Sequence, residues 1–227
     1  ALGTTSAGHA FTLGRPDMGH VSVEEAIAHA REIVDGVDLP VSGDFENGYG
    51  ASPEIVAETV LRAGEAGLAG CSIEDTDLPG KGAYSFDDAM ARAKAAIEEA
   101  RREELVLTLR ADGLMNGAYD AEEAIRRCLA FADLGADVIY APLLPAEGVK
   151  TLTATGARVN VLAVGEMAKL GVAGITALGA ARISIGSALA RVTHKAIIDA
   201  GAAMFAGDLH PLTHGASGAE VDKLLAR

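Results

Sequence analysis

Tryptophan is absent and aromatic residues make up only 4% of the chain. Large rings therefore cannot carry the core, which must rest on Ala, Val, Leu and Ile. The only cysteines, Cys71 and Cys128, fall in a strand-like and a helix-like run. They read as small buried hydrophobes rather than a disulfide or a metal pair. No stretch approaches the roughly 20 apolar residues of a membrane span. Positive charge is scarce: 19 Lys and Arg face 32 Asp and Glu, a net charge of −13. That balance argues against nucleic acid and against an anionic membrane as partners, because both need a basic surface. A small anionic substrate stays open if a metal ion and local donors invert the field at one rim. No signal-peptide pattern is visible, and the default expectation is the cytoplasm, although the chain opens at Ala1 without Met and so leaves an upstream segment open.

What the chain does have is regular alternation. At 227 residues it suits one α/β domain with a sizeable core. Strand-like runs fall at 1–5, 39–43, 68–73, 105–109, 137–140, 159–163 and 182–185. Between them helical periodicity predicts helices over 22–37, 52–66, 86–103 and 120–134, with shorter ones near 146–154 and 172–178. Ser22 three residues before Glu25 marks a capping box, and Ser52-Pro53-Glu54 marks a helix start. Gly67, Gly135 and Gly179 each stand just past a helix and feed a strand. Residues 76–85 read as a loop, 187–205 as a long closing segment, and 208–227 as a loop with a final short helix.

Repeated βα units build either a (β/α)8 TIM-type barrel or an open doubly wound sheet. The barrel is preferred because polar or acidic residues follow nearly every strand, as on a barrel's catalytic rim. No Gly-x-Gly-x-x-Gly turn supports the open dinucleotide-binding alternative. Seven strands are read and a barrel needs eight, so the first βα unit is expected to precede Ala1.

Acidic residues concentrate at two strand ends: Asp44-Phe45-Glu46-Asn47-Gly48-Tyr49-Gly50 and Ile73-Glu74-Asp75. Carboxylates gathered on one rim repel each other unless a cation sits between them. Neighbouring parallel strands lie about 5 Å apart, close enough for these groups to share one ion. All-oxygen donors of this kind suit Mg2+ or Mn2+. Arg110 ends the next strand, where a guanidinium can grip a carboxylate or phosphonate, or pair with Asp112 or Glu74. Thr4-Thr5-Ser6-Ala7-Gly8 can offer backbone N–H groups to an anion or form a plain turn. Asp17 by itself reads as an exposed loop residue, and the six histidines show no ligand spacing.

Taken together, these segments resemble the isocitrate lyase/phosphoenolpyruvate mutase superfamily. Asp44 to Gly50 is similar to its Asp-x-Asp/Glu-x-Gly-Tyr/Phe-Gly signature. Ile73-Glu74-Asp75 and Leu109-Arg110-Ala111-Asp112 match two further strand ends. Thr4 to Gly8 with Asp17 matches the first substrate loop, and Arg182 to Leu189 the last strand and helix start. The resemblance implies a TIM-type barrel and Mg2+ held directly by Asp44, with Asp17, Glu46 and Glu74 acting largely through metal-bound water. It implies a substrate anion bound by Arg110 and the first loop, Thr5, Ser6 and Ala7, beside Asp44. It further implies cleavage or formation of C–C or P–C bonds next to a 2-oxo acid, and a homodimer or homotetramer whose final helices, 187–227, pack across subunits.

The gating loop departs from the pattern. Isocitrate and methylisocitrate lyases carry Lys-x-Cys-Gly-His there, whereas this chain reads Leu78-Pro79-Gly80-Lys81-Gly82-Ala83-Tyr84. Lys81 and Tyr84 are its ionisable groups and the candidates for proton transfer. The expected function is a Mg2+-dependent lyase acting on a small 2-oxo acid. The alternatives are a phosphonopyruvate-type P–C bond enzyme, a ketopantoate-type hydroxymethyltransferase and a non-catalytic oxo-acid-binding protein.

Overall fold

The computed structural model describes residues 1–80 and 82–226, so Lys81 lies outside the described residues. It contains two compact units, Ala1–Ser187 and the segment from Ala188 onward. In the first, the chain runs β1 (Leu2–Gly3), α1 (Ser6–Thr12), α2 (Val23–Gly36), β2 (Val41–Asp44), α3 (Pro53–Glu65) and β3 (Gly70–Glu74). It continues with β4 (Thr76–Asp77), β5 (Gly82–Ala83), α4 (Phe86–Arg102), β6 (Val106–Arg110), α5 (Gly113–Asn116) and α6 (Ala121–Leu134). β7 (Val138–Tyr140), α7 (Ala146–Thr153), β8 (Val159–Leu162), α8 (Gly165–Ala177) and β9 (Arg182–Ser184) complete it. The second unit holds α9 (Ala188–Phe205), a 3-10 turn at His210–His214 and α10 (Gly218–Leu225).

All seven expected strands form, and they pair in parallel in the order β1-β2-β3-β6-β7-β8-β9. Sequential order with a helix after most strands is the TIM-type arrangement, here a curled seven-stranded sheet. The helix signals hold: Ser22 makes its capping box with Glu25, and Ser52 caps α3 with Pro53 in the first turn. Gly67, Gly135 and Gly179 all have positive φ, the left-handed stop that residues with a Cβ rarely adopt.

Three local expectations are corrected. The stretch 76–85 is not plain loop, because β4 and β5 pair antiparallel within it. The first loop folds into a helix after Thr5, whose hydroxyl accepts the Gly8 N–H at 3.3 Å and caps it. The helix expected near 172–178 starts at Gly165, with a break in helical geometry at Gly171.

Strand alternation divides the sheet's side chains between two faces. One face carries Cys71, Ile73, Leu107, Leu109, Ile139, Val159 and Val161, all buried. They pack with helical residues such as Val56, Val60, Ala96, Ile97, Cys128 and Phe131 into one core. Full burial of a side chain such as Phe131 contributes about 2–3 kcal/mol. Both cysteines are free and buried, and burial pushes the Cys71 thiol up to about 12. The other face carries Asp44, Ser72, Glu74, Thr108, Arg110 and Tyr140, brought side by side by the register Asp44–Ser72, Glu74–Arg110 and Arg110–Tyr140.

Candidate active site

The polar face culminates at Arg110, the last residue of β6. Its Nη1 meets Asp44 Oδ1 at 2.8 Å and its Nη2 meets Glu74 Oε2 at 3.2 Å. Asp112 takes the other edge of the guanidinium, with Nε to Oδ1 at 3.0 Å and Nη2 to Oδ2 at 2.5 Å. The Tyr140 ring lies 5.3 Å from the guanidinium carbon. Burial alone would disfavour this cation, but Asp112, Glu74 and Asp44 outweigh it and raise its pKa. The ion pairs read in the sequence for Arg110, with Asp112 and Glu74, both form, and Asp44 adds a third.

Asp44 is held on all sides. Its Oδ2 accepts the Ser6 N–H at 2.9 Å and its Oδ1 accepts the Ser72 hydroxyl at 3.3 Å. Its own N–H donates to Thr4 Oγ1 at 2.7 Å. Ser6 also reaches Asp17, with Oγ donating to Oδ1 at 3.5 Å. The first loop and the second strand end are thus joined through Ser6. Ala7 follows in the first turn of α1 and is buried. Thr5 is occupied in capping, as described above.

Glu46 sits just past β2 with φ of 45°, a left-handed conformation unusual for a residue with a side chain. That turn sends Oε1 to the Gly19 N–H at 3.1 Å, while the buried Oε2 has no partner. The Glu46 carbonyl accepts the Glu74 N–H at 2.8 Å and ties the two acidic strand ends together. Glu74 Oε1 accepts the Thr76 hydroxyl.

Three carboxylates (Asp44, Glu74 and Asp112) therefore contact one guanidinium, and Asp17 and Glu46 lie near enough to feel its charge. Burial, reinforced by neighbouring carboxylates, shifts several of them. Burial raises Glu46 to about 7, with the Gly19 N–H opposing and Asp44 and Asp17 adding to it. Burial pushes Glu74 well above the usual carboxylate range, helped by Asp112. Burial raises Asp17 as well, with Asp44 contributing. Among the described residues, no three His, Cys, Asp or Glu side chains converge closely enough to hold a metal ion directly. The chemistry of the group nevertheless suits a hard cation. The donors are all oxygen, negative charge is in excess, and a buried Glu46 oxygen lacks a partner.

Two expectations separate here. Asp75, read together with Glu74, is the residue just past β3 and points the opposite way. Its carboxylate meets Arg127 and Tyr119 behind the sheet rather than the site. Tyr84 does not join Arg110: its hydroxyl accepts the Asn47 amide at 3.4 Å, and its ring lies 4.1 Å beneath the Arg92 guanidinium. Sequence reading missed Arg92, which donates to the Asn47, Gly50 and Ala51 carbonyls and fixes the loop after Asp44. An Arg on the buried side of an Ala-rich helix was the available signal. It also missed the parallel stack of His9 on His29, 4.0 Å between centroids, since neither residue has ligand spacing.

The phosphoenolpyruvate phosphomutase family profile matches residues 1–205. The chain belongs to this family. It is 36% identical over 142 residues to "Probable 2-methylisocitrate lyase 2" of Corynebacterium glutamicum, covering 60% of this chain and 45% of that protein. The chain thus spans about half the length of the curated relatives it matches. Among solved structures, a "putative lyase/mutase" from Burkholderia cenocepacia J2315 superimposes with a TM-score of 0.91 at 36% identity, covering 99% of this chain and 82% of that one. Oxaloacetate acetylhydrolase in complex with the product oxalate gives 0.78 at 28% identity, covering 89% and 73%.

Proposed function

We propose that the family member described here is a Mg2+-dependent lyase that cleaves or decarboxylates a small 2-oxo acid or its precursor. The observation that carries this reading is the Arg110 cluster, in which one guanidinium faces several carboxylates at adjoining strand ends beside the unpartnered Glu46 oxygen. The oxaloacetate acetylhydrolase likeness, with its bound oxalate, favours a small dicarboxylate or 2-oxo acid.

In this reading Asp44 would hold the Mg2+, with Asp17, Glu46 and Glu74 supporting it; Mn2+ would fit the same oxygen donors. When bound, the ion supplies Lewis-acid polarisation of the 2-oxo group and neutralises charge developing on its oxygen. Arg110 exchanges part of its carboxylate contacts for the substrate's carboxylate, a planar fork suited to that group. The Ser6 N–H keeps Asp44 oriented, and the Thr5-Ser6-Ala7 turn lines the anion's other side. Proton transfer falls to the 76–85 segment, to Tyr84 or Lys81. Burial raises the Tyr84 pKa, so at neutral pH its hydroxyl is protonated and acts as a donor.

The second unit leaves Leu189, Val192, Ile197, Ile198, Phe205 and Leu224 well exposed. Apolar surface of that kind supports a homodimer or homotetramer. Among the described residues no helix is long and apolar enough to cross a membrane, and a cytoplasmic location fits the reading.

The test is turnover by purified protein with Mg2+ on oxaloacetate, methylisocitrate-type acids and phosphonopyruvate. Release of a 2-oxo acid or decarboxylation, abolished by EDTA, supports the lyase. Turnover of phosphonopyruvate alone supports the P–C alternative, and saturable binding without turnover contradicts the enzyme.

A further inference from the structure

Behind the candidate site a second buried ionic group runs through the sheet to its outer helices. Asp75, Arg127 and Asp112 are 3%, 5% and 0% exposed. Arg127, on α6, places Nη1 2.8 Å from Asp75 Oδ2 and Nε 2.8 Å from Glu123. The Tyr119 hydroxyl lies 2.8 Å from Asp75 Oδ2 and 3.1 Å from Oδ1. Asp75 Oδ1 in turn accepts the Asp112 N–H at 2.9 Å, and the Asp75 N–H donates to the Arg110 carbonyl at 3.2 Å. Asp112 is the residue whose carboxylate grips the Arg110 fork from both Nε and Nη2. The arrangement is built around a missing side chain: a Cβ on Gly113 would sit 2.1 Å from the Tyr119 ring. Only glycine there lets Tyr119 lie where it reaches Asp75.

We propose that Arg127 is a positioning residue for Arg110, acting through Asp75 and the Asp112 backbone. Asp75 is its ion-pair partner, and a buried carboxylate stripped of its cation is left uncompensated and turns toward other partners. That movement releases the Asp112 N–H. The Asp112 carboxylate then loses the fixed backbone from which it aligns the guanidinium. The pathway begins on α6, on the far side of the sheet from Arg110, so Arg127 itself touches no substrate.

The primary readout needs no ligand and does not depend on the proposed activity. It is the solvent-exchange rate of the Arg110 Nε–H in 15N-labelled protein, with the signal assigned by its loss in Arg110→Lys. Arg127→Gln is expected to speed that exchange about tenfold or more, and Arg127→Lys to restore most of the protection, in line with the cost of losing outer partners of a polar site. Exchange in Arg127→Gln within about twofold of the parent overturns the proposal. If Arg127→Gln does not fold, Tyr119→Phe replaces it, with exchange about threefold faster expected and unchanged exchange overturning the proposal.

A second arm rests on the proposed function. Calorimetry with Mg2+ and oxalate is expected to show oxalate affinity falling about tenfold in Arg127→Gln while Mg2+ uptake alone stays within about threefold. Equal loss of both would mean general collapse and overturns positioning. Faster Arg110 exchange with oxalate affinity intact leaves positioning standing and contradicts the substrate role given to Arg110.

Discussion

Removing the charge of Glu46 should stabilise the metal-free protein, and the size of the gain follows from its surroundings. The residue is 4% exposed, its Oε2 has no partner, and burial raises its pKa from 4.5 to about 7. The folded value lies above the unfolded one, so the native state holds the extra proton between these two values. Stability from this group is therefore fully present below about pH 4.5 and declines as pH rises to about 7. The shift corresponds to about 3 kcal/mol lost above neutrality. Glu46→Gln keeps the oxygen that accepts the Gly19 N–H and never ionises. Urea denaturation of EDTA-treated proteins should show the variant more stable than the parent by about 3 kcal/mol at pH 8, with little difference at pH 4.5. A variant no more stable at pH 8, or a difference independent of pH, would show that the buried Glu46 charge does not destabilise the fold.

Other outcomes follow from the same geometry. Gly113→Ala forces Tyr119 off Asp75 and should cost about 3 kcal/mol in chemical denaturation; a loss under about 0.5 kcal/mol would show that the ring has room to move. Arg110→Lys keeps a charge but not the fork. It should lower stability by about 3 kcal/mol and abolish measurable oxalate binding, whereas binding within twofold of the parent would count against the fork. Cys71 and Cys128 should stay unreactive to a thiol reagent in folded protein and react fully in urea; rapid native labelling would contradict their burial.

The fold was legible because its signals are local and repeated. Capping at Ser22 and Ser52, and left-handed glycines at 67, 135 and 179, place helix ends without knowledge of tertiary contacts. The acidic strand ends were legible for a similar reason: parallel strands deliver the residues at their ends to one rim. What stayed hidden depends on direction and distance. Glu74 and Asp75 are adjacent in sequence yet serve opposite sides of the sheet. Arg92 and Arg127 look like ordinary helix arginines until the carbonyls that hold Arg92 and the Asp75 that pairs with Arg127, all 41 or more residues away, are in place. The α1 helix was hidden as well, since its Thr5 cap reads equally as a turn.

The central claim is that Asp44 anchors a hard cation in front of Arg110. Calorimetric titration of Mg2+ into the parent and into Asp44→Ala, both shown folded by circular dichroism, tests it directly. Saturable uptake is expected for the parent, with a loss of affinity of about a hundredfold or more in the variant. Undiminished Mg2+ uptake by Asp44→Ala would contradict the claim.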